Sequence, residues 1–204
     1  MEGKGAAPAI IGATVYFAEP GPKNSETTLK IAARRAEELD VRHICVATTN
    51  GRTGAAAARL FRGRNVVVVS HSAGFARPGH QELTAENRLL IEDAGAKILT
   101  CQHAFGGVGR AVRKKLGTYE IEEIVAYTLR VFGEGTKVAV EISLMAADAG
   151  LIPTDETCLA IGGTGSGADT ALLLQPANAQ TFFDLRVMEI IAKPRFGSFP
   201  PFSD

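Results

Sequence analysis

Residues 43–70 read His-Ile-Cys-Val-Ala-Thr-Thr-Asn-Gly-Arg-Thr-Gly-Ala-Ala-Ala-Ala-Arg-Leu-Phe-Arg-Gly-Arg-Asn-Val-Val-Val-Val-Ser. Ile44, Cys45, Val46 and Ala47 form a short apolar run that predicts a strand. The next seven residues, 48–54, are a polar, glycine-containing loop, and an alanine-rich helix is expected over 55–61. Four consecutive valines, 66–69, are the pattern of a strand buried on both faces. Strand, loop, helix and strand in this order are the unit of a mainly parallel sheet covered by helices.

Working outward, residues 10–17 predict a buried first strand, broken by Glu19-Pro20-Gly21-Pro22. Asn24 or Ser25 caps a helix expected to reach about Leu39, with Leu29, Ala32, Ala33 and Ala36 on one face. Beyond the valines come a loop over 71–79, a helix over 84–94 and a strand over 96–100. Gly106, Gly107 and Gly109 open a basic helical piece, and a better helix covers 119–132. Residues 138–142 read as strand, 143–149 as a short helix, and 157–161, 170–174 and 187–192 as strands. The tail from Lys193 is expected to be loosely held. The expectation is one domain over 1–204, with loosely ordered ends at 1–9 and 196–204. Its fold class is α/β, a three-layer α/β/α sandwich with a mainly parallel sheet and an antiparallel edge.

Composition narrows the function. The 204 residues carry 22 basic and 22 acidic side chains, a formal net charge of zero, which argues against a dedicated nucleic-acid binder or a polybasic membrane protein. No apolar run reaches the ~18 residues of a spanning helix. The mildly signal-like residues 6–18 contain Pro8, Gly12 and Thr14 and read as a strand. Three cysteines without a Cys-x-x-Cys pair speak against a disulfide framework and a structural zinc site. A reduced, cytoplasmic setting is expected, with Cys45 and Cys158 as buried small hydrophobes.

Open parallel sheets bind ligands beyond the carboxyl ends of their strands. Two loops there are candidates. In the first, Thr48, Thr49 and Thr53 offer hydroxyls, Asn50 an amide, Gly51 close approach and Arg52 a forked cation, at a helix start suited to phosphate. The same residues also make an ordinary capped turn. The second, Gly163-Thr164-Gly165-Ser166-Gly167, lacks the lysine of a P-loop and precedes a strand. It is either an anion-binding backbone loop or a plain glycine hairpin. Among other residues, His71 lies at a strand end, suited to proton transfer or ligation. Glu141, Met145 and Asp148 share one face if helical, which suits acid–base work or capping. Tyr16 and Phe75 are candidates for ring stacking or core. His43, His80 and His103 have no metal-ligand spacing and are given no role. Arg110, Arg113, Lys114 and Lys115 form a solvated helix face, an oligomer contact or a phosphate approach.

The segment 46–53, then Ala57-Ala58-Arg59 and the valine strand, resembles the C-terminal domain of pyruvate kinases, as does the late strand–glycine loop–strand over 157–176. In the eukaryotic allosteric enzymes these two loops hold the phosphates of a sugar bisphosphate effector. Nearly the whole chain resembles a stand-alone, largely archaeal group with this domain. The resemblance rests on Tyr16-Phe17, Pro20-Gly21, the Thr48 loop, Gly74-Phe75, Glu141-Ile142, Met145-Ala146-Ala147-Asp148, Gly167-Ala168-Asp169-Thr170 and Phe182-Phe183-Asp184. It implies bound flavin mononucleotide (FMN), its phosphate between the two loops, and no barrel domain or pyruvate kinase active site. His71 and Glu141 are then the candidates for proton transfer. The expected partner is a small phosphorylated ligand, with homo-oligomerisation open. The expected metal set is empty.

Overall fold

The computed structural model describes residues 12–195. Its chain runs β1 (Val15–Phe17), α1 (Ser25–Glu38), β2 (His43–Thr48), α2 (Arg52–Leu60), β3 (Asn65–Ser70), α3 (Ala85–Asp93) and β4 (Lys97–Thr100). It continues with α4 (Val108–Leu116), α5 (Ile121–Arg130), α6 (Glu134–Asp148), β5 (Cys158–Gly162), β6 (Thr170–Gln175) and β7 (Arg186–Pro194). The seven strands form one sheet in the order β1-β7-β6-β5-β2-β3-β4. Neighbours pair in parallel except around β6, which runs against both β5 and β7. The antiparallel part therefore lies in the half of the sheet built by the end of the chain.

The valine strand shows why the sheet has two covered faces. Val66 and Val68 pack into the layer with α1, α2 and α3, while Val67 and Val69 pack toward α6. Leu159 and Ile161 of β5 alternate with Cys158 and Ala160 in the same way. Burying each large aliphatic side chain contributes about 1.5–3 kcal/mol, so this double-sided alternation is the main source of stability. The register sets Thr48 beside Ser70 and Val46 beside Ile161. The carboxyl ends of β2, β3 and β5 consequently open onto one edge.

Four expectations need correction. Residues 138–149 are neither strand nor short helix; 138–148 lie within the single fifteen-residue helix α6, twelve of whose residues are buried, and Ala149 caps it. A helix packed on nearly all sides has no polar face, so its 3.6-residue period disappears, and β-branched Val138, Val140 and Ile142 imitate a strand. The first strand is a half-buried edge, with Tyr16 58% exposed; its expected start at Ile10, and the chain ends 1–9 and 196–204, lie outside the described residues. The last strand extends through Lys193 and Pro194, which pair with Tyr16 and Phe17, so those two residues are not part of a loose tail. Helix α2 also begins three residues early, because Gly51 takes a left-handed conformation (φ 101°) and starts the helix inside the polar loop.

Candidate functional site

A cavity of about 260 Å³ sits at the carboxyl edge of β2, β3 and β5. Its floor is one stripe of α6: Glu134, Lys137, Val138, Glu141, Ile142 and Met145, spaced by three or four residues. The stripe reaches the strand ends because glycines let backbones touch. A Cβ on Gly162 would strike the carbonyl of Gly135, and one on Gly135 would strike Thr170. This contact seats the first turn of α6 against the strand that leads into the glycine loop.

Lys137 and Glu141 are both buried, and Nζ donates to Oε2 at 2.5 Å. The backbone N–H of Phe105 donates to Oε1 at 2.9 Å, and His103 Nδ1 lies 3.7 Å from Oε2. Burial pushes the Glu141 carboxyl up, but the His103 imidazole and the Lys137 ammonium outweigh it and hold the group down to about 2. A carboxylate that acidic, with both oxygens engaged, is a poor proton acceptor near neutrality. It fixes the segment after β4 onto α6. Asp148, expected to share its work, instead accepts from Asn178 and from the Ala179 N–H beyond the cavity.

The two predicted loops meet the cavity with different parts. Thr48 and Thr49 line it, whereas Asn50, Gly51, Arg52 and Thr53 do not. Most of the α2 start is already satisfied from within, the Thr53 N–H excepted among the described residues. Thr48 Oγ1 accepts from the N–H groups of Gly51 and Gly54, Asn50 Oδ1 accepts from Arg52, and Gly51 O accepts from Ala55. Thr84 and Asn87 close over Asn50 by donating to its carbonyl. Arg52 is exposed. On the other side Gly163, Gly165, Ser166 and Gly167 line the cavity and Thr164 does not. Thr164 N–H is turned to Asp169 Oδ2 and Ser166 N–H to the Thr164 carbonyl. The N–H groups of Gly163, Gly165 and Gly167 have no partner among the described residues. Asp169 is fully buried; its carboxylate also accepts from Gly21 N–H and from the Thr170 hydroxyl.

The far wall is aromatic. The Phe75 ring lies 4.0 Å from that of His71, 4.9 Å from that of His103, and under the Arg110 guanidinium at 4.9 Å. Gly74 does not line the cavity; at φ 89° it turns the loop, and its N–H donates to the His80 carbonyl. His71 Nδ1 is 2.7 Å from Glu82 Oε2. Tyr16 lies on the edge strand, outside the cavity.

Three permanent cations line the cavity: Arg110, Arg130 and Lys137. Arg130 is neutralised by Glu134 at 2.5 Å and Lys137 by Glu141. Arg110 has no carboxylate partner among the described residues, so the cavity carries a net positive charge. Sequence reading gave no role to His103, Arg130, Lys137, Glu82 or Asp169, and gave Arg110 only the general role of a basic cluster. A Lys–Glu pair four residues apart inside an apolar segment was the available signal for Lys137. Cys45 and Cys158 are buried, as expected, and Cys101 is half-buried, its thiol raised by burial and by the Asp148 charge. Among the described residues no group of three His, Cys, Asp or Glu side chains is placed to hold a metal ion, and no helix is long and apolar enough to cross a membrane.

The family described as pyruvate kinase, alpha/beta domain, matches residues 26–174, from the start of α1 almost to the end of β6. The chain belongs to the pyruvate kinase alpha/beta domain family. The match takes in both cavity loops and all of α6. Among solved structures, a pyruvate kinase from Cryptosporidium parvum is 11% identical over 75% of this chain and 23% of its own, with a TM-score of 0.39. The Cryptosporidium parvum pyruvate kinase in complex with ADP is 12% identical over 83% and 24%, with a TM-score of 0.37. The NH3-dependent NAD synthetase from Campylobacter jejuni is 14% identical over 67% and 54%, with a TM-score of 0.33. This pyruvate kinase alpha/beta domain thus spans about a quarter of the length of the pyruvate kinases it is similar to.

Proposed function

We propose that the cavity binds a small organic phosphate, with FMN as the ligand. One observation carries the reading: Gly163, Gly165 and Gly167, whose N–H groups lack partners among the described residues, line the same cavity as the uncompensated Arg110. Backbone N–H donors in a glycine-rich turn and a guanidinium are the groups that recognise phosphate. The Thr48 and Thr49 hydroxyls add donors, and the Phe75–His103 wall offers planar contact for a ring. When bound, the flavin supplies redox chemistry, and the chain supplies position and charge.

The visible spectrum of freshly purified protein, followed by titration with FMN and with riboflavin, tests this. Flavin absorption bands are expected, and FMN is expected to bind about 3 kcal/mol more tightly, roughly a hundredfold. Equal affinity for the two would remove the phosphate site. Arg110→Ala is expected to weaken FMN by about 1.5–3 kcal/mol, the range for a charged hydrogen bond, and to leave riboflavin unchanged. Arg52→Ala, outside the cavity, is expected to change neither by more than about twofold.

A second reading is a non-catalytic module that binds a sugar phosphate. The observation favouring it is the Phe75 ring, already flanked by His71, His103 and Arg110. A colourless protein that ignores FMN and gains thermal stability from a sugar phosphate would establish this reading.

A further inference from the structure

We propose that His71, positioned by Glu82, is the proton-transfer residue of the cavity, and that the site exchanges protons with its ligand as well as holding it. The ligand part of this inference rests on the FMN reading above. His71 is the first residue after β3, so its ring stands at the strand end and lines the cavity. Its Nδ1 lies 2.7 Å from Glu82 Oε2. A carboxylate accepts only, so Nδ1 carries the hydrogen and the lone pair of the neutral ring is on Nε2. Nε2 has no partner among the described residues.

Of the other imidazoles, His80 lies outside the cavity beside Arg77, and two are held by neighbours. His43 is held by Asn65 and Glu156, and His103 by Ser72 N–H and Glu141. Glu82 is itself fixed by its neighbours. Gln81 Nε2 donates to the His71 carbonyl, and Leu83 N–H donates to Gln81 Oε1, tying this segment to the end of β3. An imidazole oriented by a carboxylate, with the second nitrogen free toward a ligand cavity, is the arrangement of a general acid–base group. Glu141 serves differently, because both of its oxygens are already engaged.

In the step, the imidazolium Nε2–H bond breaks and its electron pair stays on the imidazole. The proton would pass from Nε2 to a basic nitrogen of a bound ligand as a new N–H bond; the reverse step would return it to Nε2, and no electrons are exchanged. Glu82 balances the imidazolium charge. The other charged groups around the ring are His103, 5.5 Å away, and Arg110 across Phe75. The Arg130–Glu134 and Lys137–Glu141 pairs line the opposite side of the cavity.

Two measurements test the proposal. First, the ligand-free protein is treated with diethylpyrocarbonate and each histidine is followed by mass spectrometry. His71 is expected to react with the half-exposed His80 and ahead of His43 and His103, with FMN protecting His71 alone. An unreactive His71 would overturn the proposal whether or not FMN binds. Second, FMN-saturated protein is reduced with dithionite and its spectrum titrated with pH. His71→Gln is expected to raise the pH at which the reduced ring loses its proton by about one unit, as loss of a facing cation does. Glu82→Ala removes the orienting carboxylate together with the charge that balances the imidazolium and is expected to shift it less than His71→Gln does, and Glu82→Gln, which keeps an acceptor on Nδ1, is expected to stay nearest the parent. Identical titrations in all four proteins would overturn the proposal. Failure of FMN to bind would sink the FMN reading, and the histidine reactivities would then decide for or against His71 as the basic atom of the cavity.

Discussion

Replacing Glu141 by glutamine is expected to cost about 3–5 kcal/mol of folding stability, the range for stripping a buried charge of its partner. Glu141 and Lys137 lie on one turn of α6, each with a side chain about 95% or more buried. Glutamine keeps an acceptor for the Phe105 N–H but turns an NH₂ group toward the ammonium, or the reverse if the amide flips. Either way the Lys137 charge stays buried without a counter-charge. Replacing both residues, Lys137→Met with Glu141→Leu, is expected to recover part of the loss, because two apolar side chains need no pairing while the buried Phe105 N–H loses its acceptor. Urea denaturation of the three proteins measures this. A single variant within ~1 kcal/mol of the parent would mean that the pair is not charged in the folded state.

The same carboxylate sets an acid limit on the fold. Its folded value is held at about 2, against an ordinary value of 4.5. The unfolded chain therefore binds this proton first as pH falls. The contribution is complete above pH ~4.5 and is lost as pH falls through ~2; a depression of this size corresponds to about 3 kcal/mol. Stability of the parent is expected to fall across that window by this much more than stability of the double variant. Parallel curves would overturn the assignment.

The sheet and its helices were legible because alternation and glycine are local signals. The valine run declares two covered faces without knowledge of what covers them, and the structure supplies α1–α3 on one side and α6 on the other. Helix α6 was illegible for the opposite reason. It is the central helix of its layer, and a helix apolar on nearly all sides carries no phase to read. That misreading hid Lys137, which falls just before the expected strand over 138–142, although Glu141 and Met145 share one face in a helical reading. The loops were found, but their division of labour was not. Sequence alone offers the α2 start as an anion site, while the fold has already spent the Gly51, Arg52 and Gly54 N–H groups on Thr48 and Asn50. His103 and Glu82 gain meaning only through contacts made 38 and 11 residues away, to Glu141 and His71.

Asp169→Ala is expected to produce the largest loss of ligand binding, although Asp169 is fully buried and does not line the cavity. Its Oδ2 accepts from Gly21 N–H at 2.9 Å and from Thr164 N–H at 3.2 Å, while Oδ1 accepts from the Thr170 hydroxyl at 2.8 Å. These bonds tie the glycine loop to the segment before α1 and to β6. Two more contacts complete the tie: Ser25 Oγ accepts from Ala168 N–H, and Gly167 packs against Pro22. Alanine orphans the buried Gly21 N–H, at about 1–3 kcal/mol, and the half-buried Thr164 N–H at less. A loop without its anchor no longer holds Gly163, Gly165 and Gly167 in one arrangement at the cavity wall, so FMN affinity is expected to fall at least as far as in Arg110→Ala. Asparagine separates anchoring from charge. Its amide oxygen can take the two N–H groups, and its NH₂ can donate to the Thr170 hydroxyl, which rotates to accept. Asp169→Asn is accordingly expected to lose only about 1 kcal/mol of stability, the value of one ordinary hydrogen bond, and to keep most of the affinity. Should asparagine prove as damaging as alanine in both denaturation and FMN titration, the negative charge itself, and not the three hydrogen bonds, would be what holds the glycine loop in place.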